Sequence, residues 1–327
     1  MVNRNINFSL WLDFIERDYL KNEFKKLLDN GVVNGATSNP AIFASSITKS
    51  TAYKEQLESL KGKSGKEKYE ALAIVDIRTA AQALRGCYDA DNDGYISIEV
   101  DPFLSNDTVG TIAEGERLFA AIGEPNVMVK VPATEAGYEA MHVLMGKGIS
   151  VNATLVFSPA QAQHCLEAMQ EGIVIAKERV NGVISVFVSR FDRLLDEKLT
   201  ACGIEPSRTG ILNAAKIYTL VEKSAAANIR TLFASTGVKG EVLSTDYYIR
   251  ELLAKHSINT APLATLESYV LSPSNIAKLP LSEEEIEAYF LKLKQQGIEI
   301  DEVSQSLLED GLAAFEQAFQ EMLKRIA

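Results

Sequence analysis

Lys130 stands in Val127-Met-Val-Lys-Val-Pro132, a run otherwise free of charge. A lysine on an apolar strand has two readings. Either it snorkels from an edge strand to water, or it sits in a water-poor interior where its amine attacks a ketone and forms a Schiff base. The resulting iminium withdraws electrons, so the adjacent C–C bond can break without a metal. That chemistry needs protons moved while the carbinolamine loses water and while the carbon–carbon bond opens. Asp13, in Ser9-Leu-Trp-Leu-Asp-Phe14, and Glu99, in Tyr95-Ile-Ser-Ile-Glu-Val-Asp-Pro102, are the carboxylates available for it. A simple ion pair is the alternative for each. Asn39 in Ala36-Thr-Ser-Asn-Pro-Ala-Ile42, and Asn152 with Thr154 in Val151-Asn-Ala-Thr-Leu155, offer amide and hydroxyl groups suited to a sugar. Asx turns and strand-end capping are the structural alternatives. Arg190 in Val188-Ser-Arg-Phe-Asp192 and the segment Ser235-Thr-Gly-Val-Lys239 bring cationic and backbone donors suited to phosphate. An arginine paired only with Asp192 or Asp196 is the competing reading.

Other chemistries find less support. The histidines His142, His164 and His256 have no partner at a zinc-like spacing, so no metal is expected. No serine lies in a G-x-S-x-G setting. Asp89-Ala-Asp-Asn-Asp-Gly94 resembles the start of a calcium loop, but the required glutamate position is Val100, and the segment leads into a strand. A turn entering that strand is the expectation. Cys87, Cys165 and Cys202 form an odd set without a C-x-x-C pair, which reads as reduced thiols in the cytoplasm, each a small buried hydrophobe.

The elements that must position these residues follow an alternation. Short β-branched runs at 9–15, 32–42, 95–100, 127–131, 150–157, 183–188, 231–235 and 258–263 read as strands. Helical stretches at 64–86, 107–122, 134–146, 159–179, 192–201 and 213–228 fall between most of them. The expected fold is therefore α/β, a single (β/α)8 TIM barrel, with additional N- and C-terminal helical segments. An open doubly wound sheet competes, but no G-x-G-x-x-G follows any strand. Residues 43–75 read as a polar helical insertion, and 281–294 and 303–326 as helices of a C-terminal extension spanning about 281–327 within one domain of 1–327. Alternation along each strand puts Ser97 with Glu99, Met128 with Lys130, Asn152 with Thr154, and Ser185 with Phe187 on one side. Ile96, Ile98, Val129, Val131, Val151, Leu155, Ile184 and Val186 then face the helices. The polar sets point into the barrel near the C-terminal ends of the strands, where this fold keeps its active sites.

The chain has 327 residues, 46% hydrophobic and 24% charged, which suffices for a large core without disulfides. A net charge of -11 argues against a nucleic-acid or anionic-membrane surface, while leaving room for a local cationic pocket. No apolar run reaches the ~18 residues of a membrane helix, and no secretory signal is seen at the N-terminus.

Taken in order, Leu10-Trp-Leu-Asp-Phe-Ile15, Ala36-Thr-Ser-Asn-Pro40, Ile96-Ser-Ile-Glu-Val-Asp-Pro102, Val127-Met-Val-Lys-Val-Pro-Ala-Thr134, Val151-Asn-Ala-Thr-Leu155, Ser185-Val-Phe-Val-Ser-Arg190 and Asn259-Thr-Ala-Pro-Leu-Ala-Thr-Leu266 resemble transaldolase. The likeness is nearest to the bacterial group that carries Ala234-Ser-Thr-Gly-Val-Lys239 after the seventh strand. The resemblance implies reversible transfer of a dihydroxyacetone unit in the non-oxidative pentose phosphate pathway, with no cofactor. Donors would be sedoheptulose 7-phosphate or fructose 6-phosphate, and acceptors glyceraldehyde 3-phosphate or erythrose 4-phosphate. It implies Lys130 as the Schiff-base lysine, Asp13 as the acid/base for C–C cleavage, and Glu99 with Thr154 as holders of the catalytic water. Asn39 and Asn152 would bind the dihydroxyacetone hydroxyls, with Ser185 and Phe187 lining the pocket; Thr37, Ser97 and Lys239 complete the expected substrate-binding set, and Arg190 and Ser235 would meet phosphate. Many transaldolases place an arginine two residues after that serine. Here the position is Gly237, and Lys239 is the nearest cation. A Schiff-base aldolase cleaving fructose 6-phosphate is the alternative activity. The partners expected are sugar phosphates alone, with no nucleic acid and no membrane; monomer and homodimer stay equally open.

Overall fold

The computed structural model describes residues 3–240 and 242–327. Eight parallel strands close in sequence order into a barrel: β1 (Ser9–Leu12), β2 (Gly35–Ala36), β3 (Ile96–Glu99), β4 (Val127–Pro132), β5 (Ser150–Val156), β6 (Gly182–Phe187), β7 (Ile229–Ala234) and β8 (Ser257–Ala261). All eight expected strands are present, and β1 pairs with both β2 and β8. The outward side chains of β3 to β6, among them Ile98, Val129, Val151 and Val186, pack on the surrounding helices. The inward ones at the N-terminal end, Trp11, Met128, Val183, Leu232 and Ile258, fill the barrel floor. Trp11 needs the space beside it. A Cβ on Gly35, its register partner on β2, would lie 2.4 Å from the indole.

Three expectations are corrected. The strand expected over 32–42 is only Gly35–Ala36, because Asn39 caps a helix, Pro40–Lys49, with proline at its first turn. Leu155 does not face the helices. It has φ +57°, the β5–β6 register shifts between Ala153 and Val156, and Leu155 turns inward beside Phe157 and Phe187 while Val156 takes the outward place. Of the cysteines, only Cys165 is buried. Cys202 lies exposed just beyond the helix Ser189–Ala201, whose last turn reaches the surface, and Cys87 is half-buried.

The calcium-like segment is a turn. Asp91, Asp93 and Gly94 all have positive φ, and the Asp93 carboxylate accepts from Trp11 Nε1 at 2.8 Å and from Arg230 at 2.5 Å. It closes the barrel floor. Among the described residues no three His, Cys, Asp or Glu side chains come together as a metal site, and no helix is long and apolar enough to cross a membrane.

The insertion after β2 is helical, ending in the long helix Gly65–Asp89, which starts with a capping box between Ser64 and Glu67. Beyond β8 come helices Leu263–Leu271, Glu283–Gln295 and Ile300–Ile326. The last buries one stripe at spacings of three and four: Ser304, Leu307, Gly311, Phe315, Phe319, Met322 and Ile326. Its first half lies over the barrel mouth, where Leu307 and Phe315 join the interior cluster. Its second half packs with Phe43 and Tyr69 of the insertion. The helix is fixed along its length by Ser304 Oγ, which donates to Phe157 O at 3.2 Å, and by Lys68 Nζ, which donates to Ile326 O at 2.8 Å.

Candidate active site

The ladder brings Glu99, Lys130 and Asn152 into one row. Glu99 is the register partner of Lys130 on β3, and Asn152 its partner on β5. Lys130 is on a central strand and 5% exposed, so the snorkelling alternative is excluded. Its amine donates to Glu99 Oε2 at 3.3 Å and to Ser38 O at 3.2 Å. Thr37, in the same tight turn after β2, donates to Asp13 Oδ1 at 2.7 Å and contacts Thr260 Oγ1 at 2.6 Å. Asp13 follows β1 directly, its backbone N–H tied to Ala261 O at 2.9 Å, so its carboxyl overlooks the mouth.

Both carboxyl groups are hard to ionise here. Burial pushes Glu99 up to about 7, partly offset by the charge and hydrogen bond of Lys130. Burial also raises Asp13, against the pull of Lys130 and the Thr37 hydrogen bond. An acid that titrates near neutrality beside a buried amine is suited to passing protons in both directions.

A cavity of about 300 Å³ opens above this row. Asp13, Thr37, Asn39, Lys130, Thr154, Ser185 and Phe187 line its inner part; Arg190, Ser235 and Lys239 line its outer part. Thr154 is fully buried and among the described residues its hydroxyl has no hydrogen-bond partner, leaving a donor and an acceptor free at the cavity. Asn39 does two things. Its Oδ1 caps the following helix by accepting from Ile42 N at 3.0 Å, while the residue also faces the cavity. Ser97 and Asn152 are fully buried beneath the cavity and do not line it. They form a chain in which Asn152 Nδ2 donates to Ser97 Oγ at 3.0 Å and Ser185 Oγ donates to Asn152 Oδ1 at 2.6 Å. That chain fixes the hydroxyl of Ser185 at the cavity floor.

The outer part is cationic. Arg190 pairs with neither Asp192 nor Asp196. Asp192 accepts from Gly210 N and Tyr248 Oη, and Asp196 from Ser207. The Arg190 guanidinium instead stacks 5.2 Å from the Phe187 ring centre. Ser235, with φ +55°, contacts Ser189 Oγ at 3.0 Å, which sets its hydroxyl beside the start of the helix that carries Arg190.

Among the lining residues that sequence reasoning missed are Ser189, Arg193, Thr260 and Phe315. Arg193 was findable, because it lies three residues after Arg190 and shares its helix face. Its Nε donates to Ser189 O at 3.3 Å, which turns the guanidinium back toward the helix start. Among the described residues neither arginine has an acidic partner within ion-pair distance. Phe315 could not be found locally, since it comes from a helix remote in sequence whose docking only the tertiary fold defines.

The model of the transaldolase/fructose-6-phosphate aldolase family matches residues 10–326. A relative named transaldolase from Helicobacter pylori (strain ATCC 700392 / 26695) is 48% identical over 97% of this chain and 98% of its own length. Another relative of that name, from Campylobacter jejuni subsp. jejuni serotype O:23/36 (strain 81-176), is 48% identical over 98% of this chain and 99% of its own. The buried lysine with its carboxyl partner and these full-length likenesses agree, and the chain belongs to the transaldolase/fructose-6-phosphate aldolase family.

Proposed function

We propose that the protein is a transaldolase, moving a dihydroxyacetone unit reversibly between ketose phosphate donors and aldose phosphate acceptors. Sedoheptulose 7-phosphate and glyceraldehyde 3-phosphate would give erythrose 4-phosphate and fructose 6-phosphate. The observation that carries this reading is the buried Lys130 amine, 3.3 Å from the Glu99 carboxyl, at the inner end of a cavity whose outer end holds two unpaired guanidinium groups. A ketone carbonyl reaches the amine only if the phosphate end points outward, and the charges favour that orientation.

Lys130 Nζ adds to the donor ketone. Glu99 and the Thr154 hydroxyl hold the water through which the carbinolamine loses its oxygen as water. Asp13 takes the proton from the donor C4 hydroxyl as the C3–C4 bond breaks, and the electron pair moves into the iminium as an enamine. The aldose phosphate leaves, an acceptor aldehyde enters, and the steps run in reverse, with Asp13 returning its proton to the new hydroxyl. Asn39 and Ser185 meet the hydroxyls of the retained unit, with Ser97 and Asn152 supporting Ser185 from below. Arg190, Arg193 and Ser235 meet the phosphate, with Lys239 farther out. A cytoplasmic setting, on the sparse cysteine set, completes the reading.

The family's description also includes a lyase, in which water replaces the acceptor. Supplying fructose 6-phosphate with and without erythrose 4-phosphate separates the two. A transferase forms glyceraldehyde 3-phosphate and sedoheptulose 7-phosphate with the acceptor and releases little free dihydroxyacetone without it. Rapid acceptor-independent release would make the lyase the correct reading.

A further inference from the structure

Between cleavage and re-formation the enzyme carries a three-carbon enamine whose nucleophilic carbon must meet an aldehyde before it meets a proton. Water competes for it. Protonation at that carbon gives an imine. Addition of water across the C=N bond then releases dihydroxyacetone and restores the free amine, one water being consumed overall. Asp13 and Glu99 explain how bonds are made and broken; neither explains why this leak is slow.

Phe315 is a lining residue that comes from the C-terminal extension. Its ring centre lies 5.7 Å from Lys130 Nζ, and the residue is 7% exposed. It belongs to the apolar cluster of Leu155, Phe157, Phe187 and Leu307, so it presents the site with a surface that has no proton to give. Its helix is seated closely on the residues beneath it. One turn earlier, Gly311 is packed so closely that a Cβ there would lie 3.0 Å from Leu155 Cδ2 and 3.2 Å from Arg190 Nη1. Leu155 reaches that contact only because β5 breaks its alternation. The end of the strand is therefore shaped to seat the helix.

We propose that Phe315 is a specificity-determining residue, which keeps water from the enamine carbon and so sets the ratio of transfer to hydrolysis. The inference rests on the Schiff-base reading above. The test gives wild type, Phe315→Ala and Phe315→Leu fructose 6-phosphate with and without erythrose 4-phosphate. It measures free dihydroxyacetone against transferred product, and borohydride reduction counts the loaded sites. Phe315→Ala is expected to raise the hydrolysis-to-transfer ratio about tenfold, one decade in relative rate, with loading retained. Phe315→Leu keeps the apolar volume and is expected to raise the ratio by about two- to threefold, a smaller change in the same barrier difference. If Phe315→Ala does not fold, Phe315→Leu decides. A wild-type ratio in the folded variants, with wild type itself loading and transferring, overturns the role of Phe315. A wild type that never loads overturns the Schiff-base reading instead.

Discussion

Glu99 and Asp13 are both carboxyl groups raised by burial, yet their surroundings give them different work. Glu99 touches the amine, so in the proposed reaction its proton exchanges with the group that alternately attacks and is released. Asp13 is held by Thr37 at one oxygen, away from Glu99's hydrogen bond to the lysine. Asp13→Asn is therefore expected to leave borohydride-trappable imine in place while cleavage slows by about 10²- to 10⁴-fold, the scale of one general acid–base group. Equal loss of both steps would assign that carboxyl another role. With Glu99 pushed up to about 7, this carboxyl takes up a proton as the pH falls through neutrality. A protonated Glu99 can no longer accept a proton during carbinolamine formation and dehydration, so the rate of imine formation should fall below about pH 7 and the inflection should vanish in Glu99→Gln. The same shift works on stability. The folded value lies above the ordinary 4.5, so the native state binds the extra proton, and this site's contribution declines as pH rises from 4.5 to about 7. The active site is a place where the fold gives up stability for reactivity.

Elements decide which residues meet. The βα alternation was legible because parallel strands buried on both faces read as short β-branched runs, and parity alone put Glu99, Lys130, Thr154 and Ser185 on the inward side. Parity failed at Leu155, where the chain enters the left-handed region and the alternation slips by one; no local residue signal marks that bulge. It also could not separate Ser97 and Asn152, which support the floor, from Ser185, which faces the cavity, because depth along the barrel axis is a tertiary quantity. The helix Ser189–Ala201 carries the plainest case of a missed residue. Arg190 and Arg193 share a face, and two like charges without an acid partner among the described residues leave the site short of an anion. Arg193→Gln should raise KM for phosphorylated substrates by about ten- to hundredfold, from the loss of one charged hydrogen bond of about 1.5–3 kcal/mol. Its kcat and its turnover of unphosphorylated dihydroxyacetone donors should stay near wild type. An unchanged KM for fructose 6-phosphate would remove Arg193 from the phosphate end.

Over the whole molecule, the two ends of the barrel have separate duties. The C-terminal end holds the chemistry in a cationic mouth on a chain of net charge -11. The N-terminal end is closed by the Trp11–Asp93–Arg230 network, in which Arg230 also donates to Asn7 O at 2.9 Å and Ser257 O at 2.8 Å. Arg230→Met would leave the half-buried Asp93 with the Trp11 hydrogen bond but without its charged partner, a loss of about 1–3 kcal/mol. Thermal unfolding should shift down markedly while the activity per folded molecule holds. A variant that is fully stable but inactive would contradict this division.

The proposed reaction depends on a covalent bond between Lys130 and the sugar. Reduction with borohydride in the presence of fructose 6-phosphate, followed by digestion and mass spectrometry, reads that bond directly. A stable three-carbon adduct is expected on the peptide containing Lys130 and is expected to disappear in Lys130→Ala of unchanged fold. An adduct on another lysine, or none on a protein that still transfers, would contradict it.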